Sequence, residues 1–580
     1  MRFLNVGTSA LLVELDDRDA HDAMSLFDAI VQQQRNGDSS LSQLIEIVPA
    51  ACTLLVRFDP LEVSRRSIEC AIRDLRSKES RATRVSRTIE VPVIYDGEDS
   101  DAVAAMLGIS SQQLIERHVA CSWTAAFVGF APGFAYLTGD DPLFNVPRRQ
   151  EPRLRVPAGS VGLAGAYSGV YPRASSGGWQ LIGFTPALMW DEQHDPPALI
   201  QPGDSVRFCV SHEHISAVNG SVAEQQTRQS PGFAAKPSKS APALIQARGL
   251  HVDRPGAFAI FEDDGRIAAN MGVTASGAAD PASLHRSNIL AGNPAGTPAI
   301  EITGGGARFT AVGEVVVALA GAQAPIAVHG KDGSYTGIAR QEAFLLNDGD
   351  TVELGVLYDG LRDYLAVQGG FVADEVIGSA SGDTMSHIGP APLCAGDFLA
   401  CADGPHTVTG HAVDWSRLPV RGSLTELTVV LGPRDDWFTT QAIDDLIGQS
   451  WTVTPRSDRV GLRLSAARPL ERVVARELNS EGTVTGAIEV PSNGQPVLFL
   501  RDHPVTGGYP VIAVLDPESL ALAGQLPTGA LVRFRTVYSD APAETAQVVN
   551  DKNYGENDSE KHDISYDSAR NEHALRMQRG

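Results

Sequence analysis

The chain carries too few cations for its acids. Lys and Arg number 47 against 70 Asp and Glu, a formal net charge of −23. That balance argues against a nucleic-acid partner, which needs clustered Lys and Arg for its phosphates. No apolar run approaches the roughly 18 residues of a membrane helix. The N-terminus, "MRFLNVGTSALLVEL", has no basic stretch followed by an apolar one, so no signal peptide is expected. The six cysteines, Cys52, Cys70, Cys121, Cys209, Cys394 and Cys401, form no CxxC pair. Reduced, buried thiols in a cytoplasmic protein are expected, and no metal site. A G-x-x-x-x-G-K-[ST] phosphate loop is also missing, as is a Met-Lys-Met biotin-attachment site. ATP- or biotin-dependent chemistry would need a partner to bring those parts.

What is present suffices for several folded domains: 580 residues, 43% of them apolar. Residues 1–90 alternate strand and helix patterns in a βαββαβ-like order, which predicts a small split-βαβ subdomain. From 91 to 211 a helix over 100–119 gives way to short apolar runs cut by Gly and Pro, the texture of a β-barrel. Residues 212–248 are rich in Ser, Gln, Ala and Pro and read as a linker. Two further β subdomains are expected at 249–420 and 421–537, and a disordered polar tail at 538–580.

One short phrase occurs twice. "SSGGWQLIG" at 175–183 returns as "VTGGYPVIA" at 505–513. Each is preceded by a Val-Pro entry ("RVPAGS", "EVPSNG") and followed by a closing "VRF" ("IQPGDSVRF", "QLPTGALVRF"). "LNDGDTVEL" at 346–354 echoes the closing strand again. Ordered triplets of landmarks predict one barrel unit used at least twice. The glycines are expected to supply unusual φ and close backbone approach at Gly177, Gly178, Gly507 and Gly508. Their functional reading is a cleft lined by both segments, with "PRRQEPRLR" or "AIEITGGG" near its mouth; the structural one is barrel corners.

"GTSALLVEL", "GFAPGFAYLTG", "VPRRQEPRLRVPAGSVGLAG" and "YPRASSGGWQLIGFTP" resemble the KipI family, also called allophanate hydrolase subunit 1 or the B subunit of 5-oxoprolinase. "GVTASGAADPASLHRSNILAGNP", "AIEITGGG", "LRDYLAVQGGF", "GSASGDT", "SDRVGLRL" and "GAIEVPSNGQPVLFLRDHPVTGGYP" resemble the KipA family, allophanate hydrolase subunit 2 or the C subunit of 5-oxoprolinase. The pair is also similar to the carboxyltransferase region of urea carboxylase. The resemblance covers roughly residues 4–537 and implies a mainly β protein with α+β additions: tandem cyclophilin-like barrels behind a small α/β subdomain. It implies a fused B–C component that hydrolyses 5-oxoproline to glutamate with ATP, bound here or on a separate LamB/YcsF-like protein, the A component of 5-oxoprolinase. The alternatives are a carboxyltransferase for urea or a related amide, served by biotin on a separate carrier, and a histidine-kinase regulator. Amidase chemistry by this chain is not expected, since no lysine general base accompanies "SSGG". Homo-oligomer formation stays open.

Lactam opening needs cations for the substrate carboxylate and phosphate, and a group that moves protons. Arg148, Arg153 and Arg155 in "PRRQEPRLR" are candidate anion binders, with Arg153 and Arg155 on one face. His118, Glu301, Glu489 and Asp502 are candidate acid–base groups. His118 also reads as a helix-end cation, and Glu301, in an apolar strand, needs a partner. Tyr136, Trp179 and Gln180 could line a pocket or fill a core. Ser276 and Asp280 precede a helix, where Asp280 followed by Pro281 also makes a cap. Thr506 and Tyr509 flank the second Gly-Gly. Relatives more often carry Gln at the position of Glu489 and Thr at that of Val505.

Overall fold

A computed structural model describes residues 1–15, 20–37, 40–77, 87–211, 248–339, 342–410 and 418–536. The expected tail and, apart from Arg248, the expected linker lie outside these residues. The chain opens with a four-stranded sheet in the spatial order Arg2–Asn5, Ala10–Glu14, Thr53–Phe58, Leu44–Pro49. Thr53–Phe58 runs antiparallel to both neighbours, so Ala10–Glu14 and Leu44–Pro49 are parallel to each other. With helix Ala20–Asn36 between them they form a split βαβ unit. Two details differ from the expected βαββαβ-like order. Its first strand is a hairpin, Arg2–Asn5 with Ala10–Glu14, because the chain turns at Gly7, whose φ is +67°. "RTIEVPVIYD" leaves the module, and its strand Thr88–Val93 pairs in the next sheet.

That next sheet has seven strands: Gln180–Phe184, Ser160–Ala164, Tyr167–Val170, Ala135–Gly139, Trp123–Val128, Ser205–Val210, Thr88–Val93. A bridge between Ile94 and Phe184 joins its two edges into a barrel. The single helix expected at 100–119 is two, Ser100–Leu107 and Ser111–Ala120. Gly108 at φ 70° ends the first, and Ser110 with Gln113 forms a capping box for the second.

Residues 249–400 build a six-stranded and a five-stranded sheet. Leu250, Phe309, Val352, Ile300, Leu319 and Leu365 fill the core they share. The last unit is a closed barrel: Val511–Leu515, Ala487–Glu489, Val497–Phe499, Gly461–Ser465, Trp451–Val453, Leu531–Thr536, Leu424–Leu431. Its order matches the first barrel strand for strand. In each, the first and last strands in sequence pair in parallel. Each also starts its second strand with a fully buried Trp whose Nε1 donates to a helix carbonyl five residues earlier, Trp123 to His118 and Trp451 to Leu446, both at 3.0 Å. The repeated landmarks therefore mark two copies of one barrel. The third echo is only a turn. Asp350 accepts from Asn347 N, and Asp204 from Gln201 N, both at 2.9 Å, after Gly349 and Gly203 at positive φ.

None of the six cysteines is in a disulfide, but Cys70 and Cys394 are exposed, so burial holds for only part of the set. No helix among the described residues is long and apolar enough to cross a membrane.

Candidate functional site at the junction of the two halves

The C-terminal motifs converge on one buried ion cluster. Arg459 sits between the two-sheet unit and the second barrel. Its guanidinium meets Asp502 at 3.0 and 3.1 Å, Glu301 at 2.5 Å, Glu262 at 2.9 Å and the Gly277 carbonyl at 2.8 Å. Glu301 also takes Arg362 Nε at 3.2 Å, Tyr364 Oη at 2.8 Å and Ala279 N at 2.9 Å. Asp502 takes Ser276 Oγ at 2.8 Å and both Thr384 N and Oγ1, at 3.0 and 2.6 Å. All three carboxylates are fully buried. Burial alone would raise every one of them, but Arg459 overrides it for Glu301 and Asp502, which are held below the ordinary range. Burial, with Glu301 and Asp502 nearby, wins at Glu262 and holds it well above that range. The shifts thus favour the charged form of Glu301 and Asp502, which face the guanidiniums, and the neutral form of Glu262, a direction that limits unpaired charge in the cluster.

Burial and the dense hydrogen bonding of Glu301 and Asp502 make this cluster a fastening between units. Ser276 and Asp280, expected as substrate binders, belong to it. Ser276 holds Asp502, and Asp280 caps helix Pro281–Ala291 through Ser283 N at 3.1 Å while its own N–H donates to Tyr364 Oη at 2.8 Å.

A second layer joins the N-terminal half to the same loops. Gly133 N donates to the Met271 carbonyl at 3.2 Å, Arg173 donates to the carbonyls of Met385 and Ser386, and Trp190 packs beside Ala268, Val273 and Ile388. Every described non-glycine residue at positive φ lies in these junction loops: Phe130, Ser276, Ile377 and His387, at 63, 51, 54 and 53°. Such backbone persists only where the surroundings enforce it, and it clusters at working sites. Asp383 lies among them. Burial, then the charge of Asp502, pushes its carboxyl up to about 6. Its Oδ1 accepts from Met385 N and Ser386 N, both at 2.8 Å, while its buried Oδ2 has no hydrogen-bond partner.

Behind Asp502 lies a cavity of about 160 Å³. Arg501 and Asp502 lie in a turn after the strand Val497–Phe499; Asp502 joins the ion cluster, while its neighbours Arg501 and His503 line the cavity wall. Both halves build that wall: Val6–Ala10, Glu46 and Arg57 from one, Thr274, Thr483, Arg501 and His503 from the other. Glu46 is already engaged, with Arg57 at 2.7 Å and Ala269 N at 2.9 Å.

The remaining candidates lie elsewhere. His118 is in the first barrel core, fully buried between Tyr95 Oη (2.8 Å) and Ser168 Oγ (3.0 Å) and surrounded by Trp123, Phe144 and Phe208. Burial lowers it to about 3, so it is a neutral packing group and not the helix-end cation or base expected. Arg153 is spent on Asp99 (2.8 and 2.9 Å) and Glu98 (3.1 Å), and Arg149 also binds Asp99, at 2.9 Å. Asp99 in turn accepts from Leu181 N at 2.7 Å. The arginine run clamps its own barrel, and Arg148 and Arg155 are exposed. Tyr136 and Trp179 fill an aromatic core with Phe127, Phe134 and Tyr171. Gln180 Nε2 donates to the Pro147 carbonyl at 3.1 Å.

Both Gly-Gly pairs serve small corner ladders, Ser175–Gly177 with Arg153–Val156 and Thr506–Gly507 with Glu481–Gly482. None of the four glycines is at positive φ. Two of them supply room: a Cβ on Gly177 would strike Tyr171 Oη, and one on Gly507 would strike Glu489 Oε1, whereas at Gly178 and Gly508 nothing lies nearer than 3.8 Å. Thr506 packs against Gly129, and Trp179 against Phe134 of the same loop, so the two copies approach that loop with different residues. The cavity, however, is lined by the second copy only. The cleft expected between both copies is replaced by a pair of barrel corners. Tyr509 is 47% exposed, near Arg472. Glu489 is buried, with Oε1 unpartnered, and burial pushes it up to about 8 although Arg472 offsets part of the rise.

Residues 1–200 match the family described as carboxyltransferase domain, subdomain C and D, and residues 271–536 match carboxyltransferase domain, subdomain A and B. The C subunit of 5-oxoprolinase from Escherichia coli K12 is 30% identical over 295 residues, which is 49% of this chain and 90% of that protein. The chain belongs to this carboxyltransferase-domain family. Its N-terminal half is of the B type: the B subunit of 5-oxoprolinase from Escherichia coli O157:H7 is 49% identical over 133 residues, 22% of this chain. That match spans 61% of the length of the Escherichia coli protein. The crystal structure of TTHA0988 covers 91% of this chain and 99% of its own, at 30% identity and a TM-score of 0.76, so the joined arrangement of both halves recurs there.

Arg501, His503, Thr274 and Asp383 were not singled out from sequence. The first two flank Asp502 in a turn that follows the apolar run "VLFL".

Proposed function

We propose that the chain is the fused B–C component of an ATP-dependent 5-oxoprolinase and works with a separate LamB/YcsF-like A component. The observation that carries this reading is the junction cavity, whose wall is drawn from the B-type and the C-type half together. Ligand sites favour such seams, where two walls each contribute a few polar groups. Opening an unstrained lactam is uphill in water, and phosphorylating the amide oxygen creates an electrophile that water can attack. The chain has no phosphate loop, so the nucleotide is assigned to the complex with the A component. A cytoplasmic location accords with six cysteines of which none is in a disulfide.

Mixing the purified chain with the A component should give glutamate and phosphate release that needs 5-oxoproline and ATP, and the chain alone should give none. Full turnover by the chain alone refutes the dependence. Turnover of urea with a biotin carrier, and none of 5-oxoproline with the A component, refutes the assignment.

A further inference from the structure

Arg501 is a cation without a counter-ion. Among the described residues no carboxylate lies within 4 Å of its guanidinium, and its buried Nε has no hydrogen-bond partner. The carboxylates around it are committed. Glu46 holds Arg57 and Ala269 N, Glu262 faces Arg459, and Asp516 caps the helix Pro517–Gly524 through Ser519 N at 2.7 Å. Burial lowers the guanidinium, and the positive charges of Arg459 and Arg57 add to that. Arg501 is half-buried, with its Nε sealed from solvent, and a partly desolvated cation without a counter-ion is stabilised by an anion that completes it.

His503 supplies a second handle on the same wall. Its Nδ1 lies 2.8 Å from the Pro504 carbonyl, which can only accept, so Nδ1 carries the proton and Nε2 keeps a lone pair. Burial holds the ring neutral, with its value lowered to about 4. The cavity's 160 Å³ holds about five waters at roughly 30 Å³ each. That admits a compact ligand.

We propose that this cavity binds a compact carboxylate, with Arg501 pairing the carboxylate and His503 Nε2 accepting an N–H of the same molecule. A cyclic amide acid carries both groups on one small ring. The choice of that ligand rests on the 5-oxoprolinase reading, whereas the anion site rests on Arg501.

The test measures binding to the full chain by calorimetry, with thermal melting alongside, using 5-oxoproline, 2-pyrrolidinone (the same ring without the carboxylate), acetate and inorganic phosphate. Wild type should bind 5-oxoproline best, acetate weakly and 2-pyrrolidinone not at the same concentration. Arg501→Met should fold with an equal or higher Tm, because it removes a half-buried charge that lacks a counter-ion, and should lose about 30-fold or more in affinity for 5-oxoproline. Arg501→Lys should keep part of that affinity. Unchanged binding in Arg501→Met overturns the site. So does 2-pyrrolidinone binding as tightly as 5-oxoproline, phosphate binding without either carboxylate, or unfolding of both variants, which would make Arg501 part of the fold. An unchanged KM for 5-oxoproline with Arg501→Met, in the assay reconstituted with the A component, sinks the site and leaves the reaction standing. Arg501-dependent carboxylate binding without glutamate release sinks the reaction and leaves the site standing.

Discussion

Replacing Glu489 by Gln should stabilise the protein at pH 8 and not at pH 4.5. Glu489 is 5% exposed and its Oε1 has no partner, so burial outweighs the attraction of Arg472 and favours the protonated form. The folded value lies near 8 against an ordinary 4.5. A carboxyl raised on folding contributes its stability in full below the unfolded value and loses it as pH climbs through the folded one. At about 1.4 kcal/mol per pH unit, the loss is roughly 3 kcal/mol by pH 7 and at most about 5 kcal/mol above pH 8. Glutamine imitates the protonated carboxyl and has nothing to lose. Imperfect pairing of the amide's extra N–H groups would cost about 1–3 kcal/mol, and that cost is the same at every pH. The quantity to measure is therefore the change, from pH 4.5 to pH 8, in the stability difference between Glu489→Gln and wild type, read from urea midpoints at constant ionic strength. It should move towards the variant by a few kcal/mol. A difference that stays constant across the range would show that Glu489 is ionised in the folded protein and refute the reasoning.

Gly507→Ala and Gly508→Ala should part company. The new methyl meets the Glu489 carboxylate and Thr483 Cγ2 at 507, whereas at 508 the nearest atom is Leu478 O at 3.8 Å; the first should cost about 1–3 kcal/mol and the second within about 0.5 kcal/mol of zero by urea denaturation. Arg153→Ala should cost about 1–3 kcal/mol of stability, because Asp99 loses one of its two arginine partners and keeps Arg149 and Leu181 N. It should leave the KM for 5-oxoproline in the coupled assay unchanged; the opposite pattern would return Arg153 to the substrate site.

The barrel repeat was legible because its landmarks are local. A Val-Pro entry, a Gly-Gly corner and a closing "VRF" each specify a turn or strand end within a few residues. The helix break at Gly108 and the hairpin at Gly7 were equally local, but an apolar pattern runs through both and hides them. Partnership was not legible. Arg148, Arg149, Arg153 and Arg155 look like an anion site until Asp99, some fifty residues earlier in the chain, is brought beside two of them. His118 looks like a base until Tyr95 and Ser168 close over it. Glu301 did announce a need for a partner by sitting in an apolar strand, and one partner, Arg459, came from a motif quoted only for its resemblance.

In each barrel the first and last strands lie side by side and run in the same direction. The seam that completes the ring is thus made between the segment where the chain enters and the segment where it leaves. A barrel built this way needs no neighbour to close it, and its two attachment points sit at adjacent staves. Other modules can be spliced onto either one while the ring stays whole. The first barrel follows the small split βαβ sheet and the second follows the two-sheet unit, yet both keep the same seven-strand order.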